Sequence, residues 1–205
     1  MVAWMRLLET VKVGCHLTEA ERDFQRARLM TLEDTAGIHV CPLRRVPEMV
    51  ERTSARHLVS VLNADMMPVT PPTISPGRHL KLSMHDIIEA QTELTPPAVE
   101  HVTDLFEFVQ SWNKREPILI HCYAGISRST AATFIALCAL NPGTPERIIA
   151  MGLRRSSDTA RPNRLLVTLA DKALGREGRM IAAIDAMGQS RTAMEAVPFR
   201  VACTT

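Results

Sequence analysis

Hydrophobic positions along the chain fall into short strand-like runs separated by stripes of helical period. Gly37-Ile38-His39-Val40-Cys41-Pro42-Leu43 alternates as a strand does, and His57-Leu58-Val59-Ser60-Val61-Leu62 is an almost continuous apolar run, broken by Asn63-Ala64-Asp65. His79-Leu80-Lys81-Leu82-Ser83-Met84 alternates again, and Pro117-Ile118-Leu119-Ile120 is a fourth short, branched run. Between these runs the period becomes helical. Pro47 to Ala55 reads as a short helix. Thr95-Pro96-Pro97 opens a longer one, in which Val99, Val102, Leu105, Phe106, Val109 and Trp112 form a single stripe. It closes near Asn113-Lys114-Arg115, where cations suit the carbonyl end.

Ala131 to Leu140 is rich in helix formers and stops before Asn141-Pro142-Gly143. Thr144-Pro145-Glu146 predicts another start, with a cap, Pro at the first helical position and an acid in the first turn. Arg164–Leu174 follows Asn163 as N-cap, and Met180–Met187 is a further short helix. The segment 68–77, with four prolines, is loop, and 198–202 is faintly strand-like in a tail without assigned function. Strands alternating with helices predict an α/β fold: a mostly parallel central sheet flanked by helices, with the strand at Pro117 in its middle.

The alternating pattern starts at residue 37, which divides the chain into an N-terminal extension, 1–36, and a domain, 37–205. The extension holds an apolar-rich piece, 2–13, and a charged helical segment, 18–29, capped by Thr18; neither carries a catalytic feature, and Met30 is an alternative start. At 205 residues and 46% hydrophobic, the chain suffices for one substantial core. A net charge of +2 gives no argument for nucleic acid or membrane partners, and no apolar run approaches the roughly 18 residues of a membrane span. Five scattered cysteines make no disulfide framework, and no secretory leader is evident, so the cytoplasm is the expected compartment.

The chemistry lies between the fourth strand and the helix after it, in His121-Cys122-Tyr123-Ala124-Gly125-Ile126-Ser127-Arg128-Ser129-Thr130. A loop between a strand and a helix N-terminus turns its backbone N–H groups and the positive helix end toward one point. A thiol on the first loop residue, facing that point and a guanidinium six positions on, favours the thiolate. Arg128 offers a planar fork to two phosphate oxygens, Gly125 allows the positive φ that curls the loop, and Ser129 can hydrogen-bond the sulfur. The loop reads as a phosphate cradle, Tyr123 to Arg128, with a nucleophile at its base. No cofactor or metal is called for. His39 and Cys41 lack further ligands at usable spacing and read as core, although Cys41 is also a candidate for a reversible disulfide with Cys122.

His121-Cys122-x5-Arg128-Ser129 resembles the signature loop of the cysteine-dependent protein tyrosine phosphatases, above all their compact dual-specificity branch, and is similar to that of small bacterial tyrosine phosphatase family proteins. The resemblance covers about residues 37 to 190. It implies a phosphatase fold with the signature loop between a central strand and a helix, a phosphocysteine intermediate, and a phosphorylated protein as substrate. It also implies a general acid on a loop before the cysteine. Asp86, directly after the third strand and 36 positions before Cys122, is the best candidate; Glu89 and Glu93 compete with it, and His85 reads as a packing or surface residue. His121 and Asn163, the latter in a Pro-Asn pair ahead of the last core helix, match residues that brace the loop in the family. Family members acting on inositol lipids carry basic residues inside the loop, where this chain has Tyr123, Ala124 and Ile126. Phosphotyrosine, with phosphoserine or phosphothreonine beside it, is therefore the expected substrate, and a non-catalytic phosphate-binding module is the alternative. Five arginines against one acid between Arg147 and Arg164 read as a solvated face able to draw in anions.

Overall fold

The computed structural model describes residues 37–203. The readings made for 1–36 lie outside the described residues. In chain order the elements are β1 (Gly37–Pro42), α1 (Val46–Thr53), β2 (His57–Leu62), β3 (His79–Ser83), α2 (Val99–Ser111), β4 (Ile118–Cys122), α3 (Arg128–Leu140), α4 (Glu146–Ser156), α5 (Arg164–Ala173), α6 (Arg179–Asp185) and β5 (Phe199–Ala202).

The strands form one sheet in the order β3-β2-β4-β1-β5. β1, β2, β3 and β4 are parallel, and β5 alone runs antiparallel, at the edge beside β1. β4 is the middle strand, buried at every position, as befits a parallel strand covered on both faces. Its carboxyl end therefore sits at the centre of the sheet's rim, where ligand sites of open α/β sheets form.

Strand alternation sends side chains into two separate cores. Ile38, Val40, Val59, Val61, Ile118 and Ile120 face the larger one, completed by α2, α3, α4, α5 and α6. Cys41, Leu58 and Leu119 face the smaller one, closed by Val46, Met49 and Val50 of α1. α3 is enclosed on all sides: every residue from Arg128 to Ala139 is buried. A helix apolar all round is stable only where sheet and neighbouring helices surround it.

Several element ends differ from the sequence expectation. β4 continues through His121 and Cys122, so the cysteine is the strand's last residue and not the first of the loop. α3 starts at Arg128, three residues early, because the loop itself turns into the helix. α2 starts at Val99, not at Thr95: Ala98 is extended, and its N–H donates to His101 Nδ1 at 3.0 Å, closing the first turn. α4 starts at Glu146 with Pro145 as its N-cap, replacing Thr144. Glu146 is not a solvated first-turn acid; it is buried and accepts from Arg176 at 3.2 Å and Arg179 at 3.3 Å, tying α4 to the chain around α6. No helix among the described residues is long and apolar enough to cross a membrane.

Candidate active site

The loop from Cys122 to Arg128 is held from outside by its carbonyls. Tyr123 O accepts from Leu43 N at 3.1 Å, Ala124 O from Ala196 N at 2.9 Å, Ile126 O from Arg161 N at 2.9 Å, and Ser127 O from Asn163 N at 3.3 Å. With the carbonyls turned outward, the amide edge of the loop is left for the pocket, the polarity an anion requires. Gly125 takes φ 73°, and a Cβ there would stand 2.9 Å from the backbone of Cys41 and Pro42. Glycine is needed twice over, for the turn and for the close approach.

Cys122 is 2% exposed and Ser129 fully buried, with Sγ and Oγ 3.1 Å apart. The Arg128 guanidinium is buried too; Nη1 donates to Met84 O at 2.9 Å, which fixes the plane of the fork. Its Nε has no hydrogen-bond partner among the described residues and lies 3.9 Å from Asp86 Oδ2. A buried cation with an unused donor beside a thiol and a ring of amides fits a bound phosphoryl group.

Asp86 Oδ1 accepts from Ser127 Oγ at 2.7 Å and from Asn163 Nδ2 at 2.8 Å, which leaves Oδ2 as the oxygen closest to Arg128. Asn163 does more than cap α5 through Leu166 N at 3.0 Å: its amide also donates to Ile87 O at 3.2 Å, and its backbone N–H to Ser127 O, joining the loop that carries Asp86 to the Cys122–Arg128 loop. His85 ties the start of the loop that carries Asp86 to its end, accepting from Thr95 N at Nδ1, 3.0 Å, while its own backbone N–H donates to Thr95 O at 2.8 Å. Glu89 and Glu93 stand exposed on that loop and do not line the pocket.

The pocket, about 560 Å³, brings Asp86, Cys122, Ser127 and Arg128 together. Its mouth is formed by Asn63, Met66, Tyr123, Ile126, Arg161 and Met194. Sequence reasoning missed Met66 and Met194. The second lies in the tail beyond α6, which the Ala196–Ala124 hydrogen bond and the Arg191–Asp158 ion pair at 2.7 Å lay against the site. Of the five arginines read as one patch, Arg154 binds backbone carbonyls of 157, 158, 187 and 188, and Arg164 pairs with Asp185; Arg161 stands at the pocket's rim.

Burial pushes the thiols of Cys41 and Cys138 up to about 12 and that of Cys203 to about 11. The proposed Cys41–Cys122 disulfide does not fit: strand alternation puts Cys41 in the core under α1 and Cys122 in the opposite one. His121, completely buried, is pushed down to about 4, chiefly by burial, with the Cys122 backbone carbonyl opposing the shift. Its Nε2 stands 2.6 Å from Ser60 Oγ.

Residues 79–162, from β3 to the residue before Asn163, match the family model described as protein-tyrosine phosphatase. Among solved structures the chain is similar to DUSP15, at 15% identity over 78% of this chain and 95% of that one, with a TM-score of 0.53. The PTP-2 phosphatase of Cydia pomonella matches at 16% identity over 82% and 99%, again with a TM-score of 0.53. The Yvh1 phosphatase domain from Chaetomium thermophilum matches at 15% identity over 70% and 93%, with a TM-score of 0.52. No curated protein matches the chain in sequence. The matched segment contains β3, the loop that carries Asp86 and the Cys122–Arg128 loop, and the fold around it is that of the compact phosphatases, to which the chain is similar in structure.

Proposed function

We propose that residues 37–205 form a phosphatase domain that hydrolyses phosphate monoesters of phosphorylated proteins, phosphotyrosine foremost and phosphoserine or phosphothreonine beside it, through a phosphocysteine. The observation that carries this reading is the convergence of Cys122, Arg128 and Asp86 on one pocket, with the buried Ser129 Oγ 3.1 Å from the sulfur behind it.

Cys122 Sγ attacks phosphorus while the bond to the ester oxygen breaks, and Asp86 gives its proton to that oxygen. The loop amides and the Arg128 fork hold the equatorial oxygens as charge spreads over them. Water then attacks the thiophosphate, Asp86 takes the water's proton, and the S–P bond breaks with Ser129 Oγ donating to the departing sulfur. Asn163 and Ser127 hold the carboxyl through Oδ1, so that Oδ2 carries the proton in both steps.

Substrate choice follows from the walls. Inside the loop there is no basic side chain to pair with further phosphates, and the mouth is largely apolar, with Met66, Ile126, Met194 and Tyr123 placed to receive an aromatic ring. Arg161 at the rim suits an acidic residue flanking the phosphorylated one. A thiol with this duty needs reducing surroundings, which points to the cytoplasm. The reaction as written uses no metal or cofactor.

The test is hydrolysis of an aryl phosphate, a phosphotyrosyl peptide, phosphoseryl and phosphothreonyl peptides, and a soluble inositol phosphate by the full chain. Turnover in the order aryl phosphate and phosphotyrosine above phosphoserine is expected. Binding of phosphate without turnover of any ester would leave the non-catalytic module in its place.

A further inference from the structure

Between α6 and β5 the chain runs as a strap, 188–195, without helix or strand. Both of its ends are buried: Met187 joins the larger core, and Ala196 is enclosed where its N–H donates to Ala124 O at 2.9 Å. Polar contacts pin it in between. Arg154 donates to the carbonyls of Met187 and Gly188, each at 3.4 Å. The Arg191 backbone N–H donates to Asp158 O at 2.9 Å while its guanidinium holds the Asp158 carboxylate, and Glu195 pairs with Arg44. Exposed ion pairs contribute little singly, but a segment buried at both ends and tied at several points keeps one course.

What the strap holds out is an apolar tip. Met194 is 92% exposed, the most exposed large hydrophobic side chain among the described residues, and with Ala193 it lines the mouth of the pocket that contains Cys122. Both charged side chains of the strap, Arg191 and Glu195, are turned to partners in the body of the domain, so the surface around the tip, with Ser190, Thr192 and Ala193, is uncharged. Arg161 serves a different side of the mouth, its backbone held on Ile126 where the strap is held on Ala124. The strap lies beyond the segment 79–162 that matches the phosphatase family model, and the reaction written above uses none of its residues. An aromatic ring inside the pocket covers only part of Met194. The rest faces outward, toward whatever the substrate carries next to that ring, and an unbranched thioether adapts to apolar partners of varied shape.

We infer that the strap is a specificity element for polypeptide substrates and that Met194 is its contact residue, packing on an apolar side chain that adjoins the phosphorylated tyrosine. The inference rests on the phosphotyrosine reading above and names the sequence context that reading leaves open: phosphotyrosine flanked by apolar residues.

Two phosphotyrosyl peptides test it, identical except for Leu or Ser on both sides of the phosphotyrosine, with phenyl phosphate as the substrate that reaches no further than the pocket. The full wild-type chain should show kcat/KM about tenfold higher for the Leu peptide, chiefly through KM, because a contact made away from the phosphorus binds ground state and transition state alike. Met194→Ser should reduce that preference to about twofold or less, and Met194→Leu should restore it. A side chain that merely propped the Cys122–Arg128 loop would, when replaced, slow all three substrates together and leave the peptide ratio unchanged. That outcome, or equal kcat/KM for the two peptides in the wild type, overturns the inference while leaving the proposed function intact. Calorimetric titration of Cys122→Ser with the same peptides, with and without Met194→Ser, reads the preference without turnover and should show the same gain and loss. That preference in a wild-type chain that turns over none of the three substrates would instead refute the proposed function and leave the strap standing.

Discussion

At the scale of single residues, the proposed mechanism divides labour between a sulfur, a fork and a carboxyl, and each role has its own failure. Cys122→Ser should abolish turnover yet keep affinity for phosphate or vanadate, because the amides and Arg128 remain; calorimetric titration with vanadate checks the second half. Asp86→Ala should lower kcat by about 10²-fold with phosphotyrosyl peptide, and least with substrates whose leaving group needs no proton. Glu89→Ala should leave kcat unchanged, since its carboxyl stands outside the pocket. Cys122, Arg128, Ser129 and Gly125 were legible in the sequence because strand, loop and helix bring them together within a few residues. Asp86 was legible only as one of three acids, since spacing does not say which side of a loop faces the cysteine. The proposal favours Asp86 because it alone of the three lines the pocket and is held there by Ser127 and Asn163, far away in the chain.

At the scale of elements, the signature loop is held by what surrounds it more than by its own bonds. Gly125→Ala should cost about 1–3 kcal/mol in backbone strain. It should also weaken anion binding, because relief of the contact with Cys41 and Pro42 displaces the loop; urea denaturation and vanadate titration measure the two effects. Asn163→Ala should cost about 1 kcal/mol for the lost cap of α5, and a further loss of kcat as Asp86 is released. The parallel strands and the α2 stripe were visible as period and burial in the sequence. β5 was barely visible: four residues at a sheet edge, half exposed, leave little alternation, and its pairing with β1 is set from the far end of the chain. The buried row in which Ser60 meets both His79 and His121 was hidden for the same reason. Each member looks like a polar interruption of a strand until the register lines them up.

At the scale of the whole molecule, buried neutral histidines make stability depend on pH. His79 and His121 titrate near 6.5 when unfolded and are held down to about 4 in the fold, so the unfolded chain binds more protons between those values. Stability should therefore be fully present above about pH 6.5 and decline as pH falls toward about 4. Thermal unfolding midpoints across that range should fall less steeply in His79→Gln than in the wild type. The tail beyond α6 belongs to the same whole-molecule reading, since it carries Met194 to the mouth of a pocket built mostly by residues before 165. The central claim, that one sulfur takes the phosphoryl group and passes it to water, is tested most directly by stopping turnover of an aryl phosphate with acid and mapping the phosphate by mass spectrometry. The account predicts a phosphoryl group on Cys122 of the wild type, accumulating further in Asp86→Ala; turnover with no phosphocysteine, or with phosphate on another residue, would contradict it.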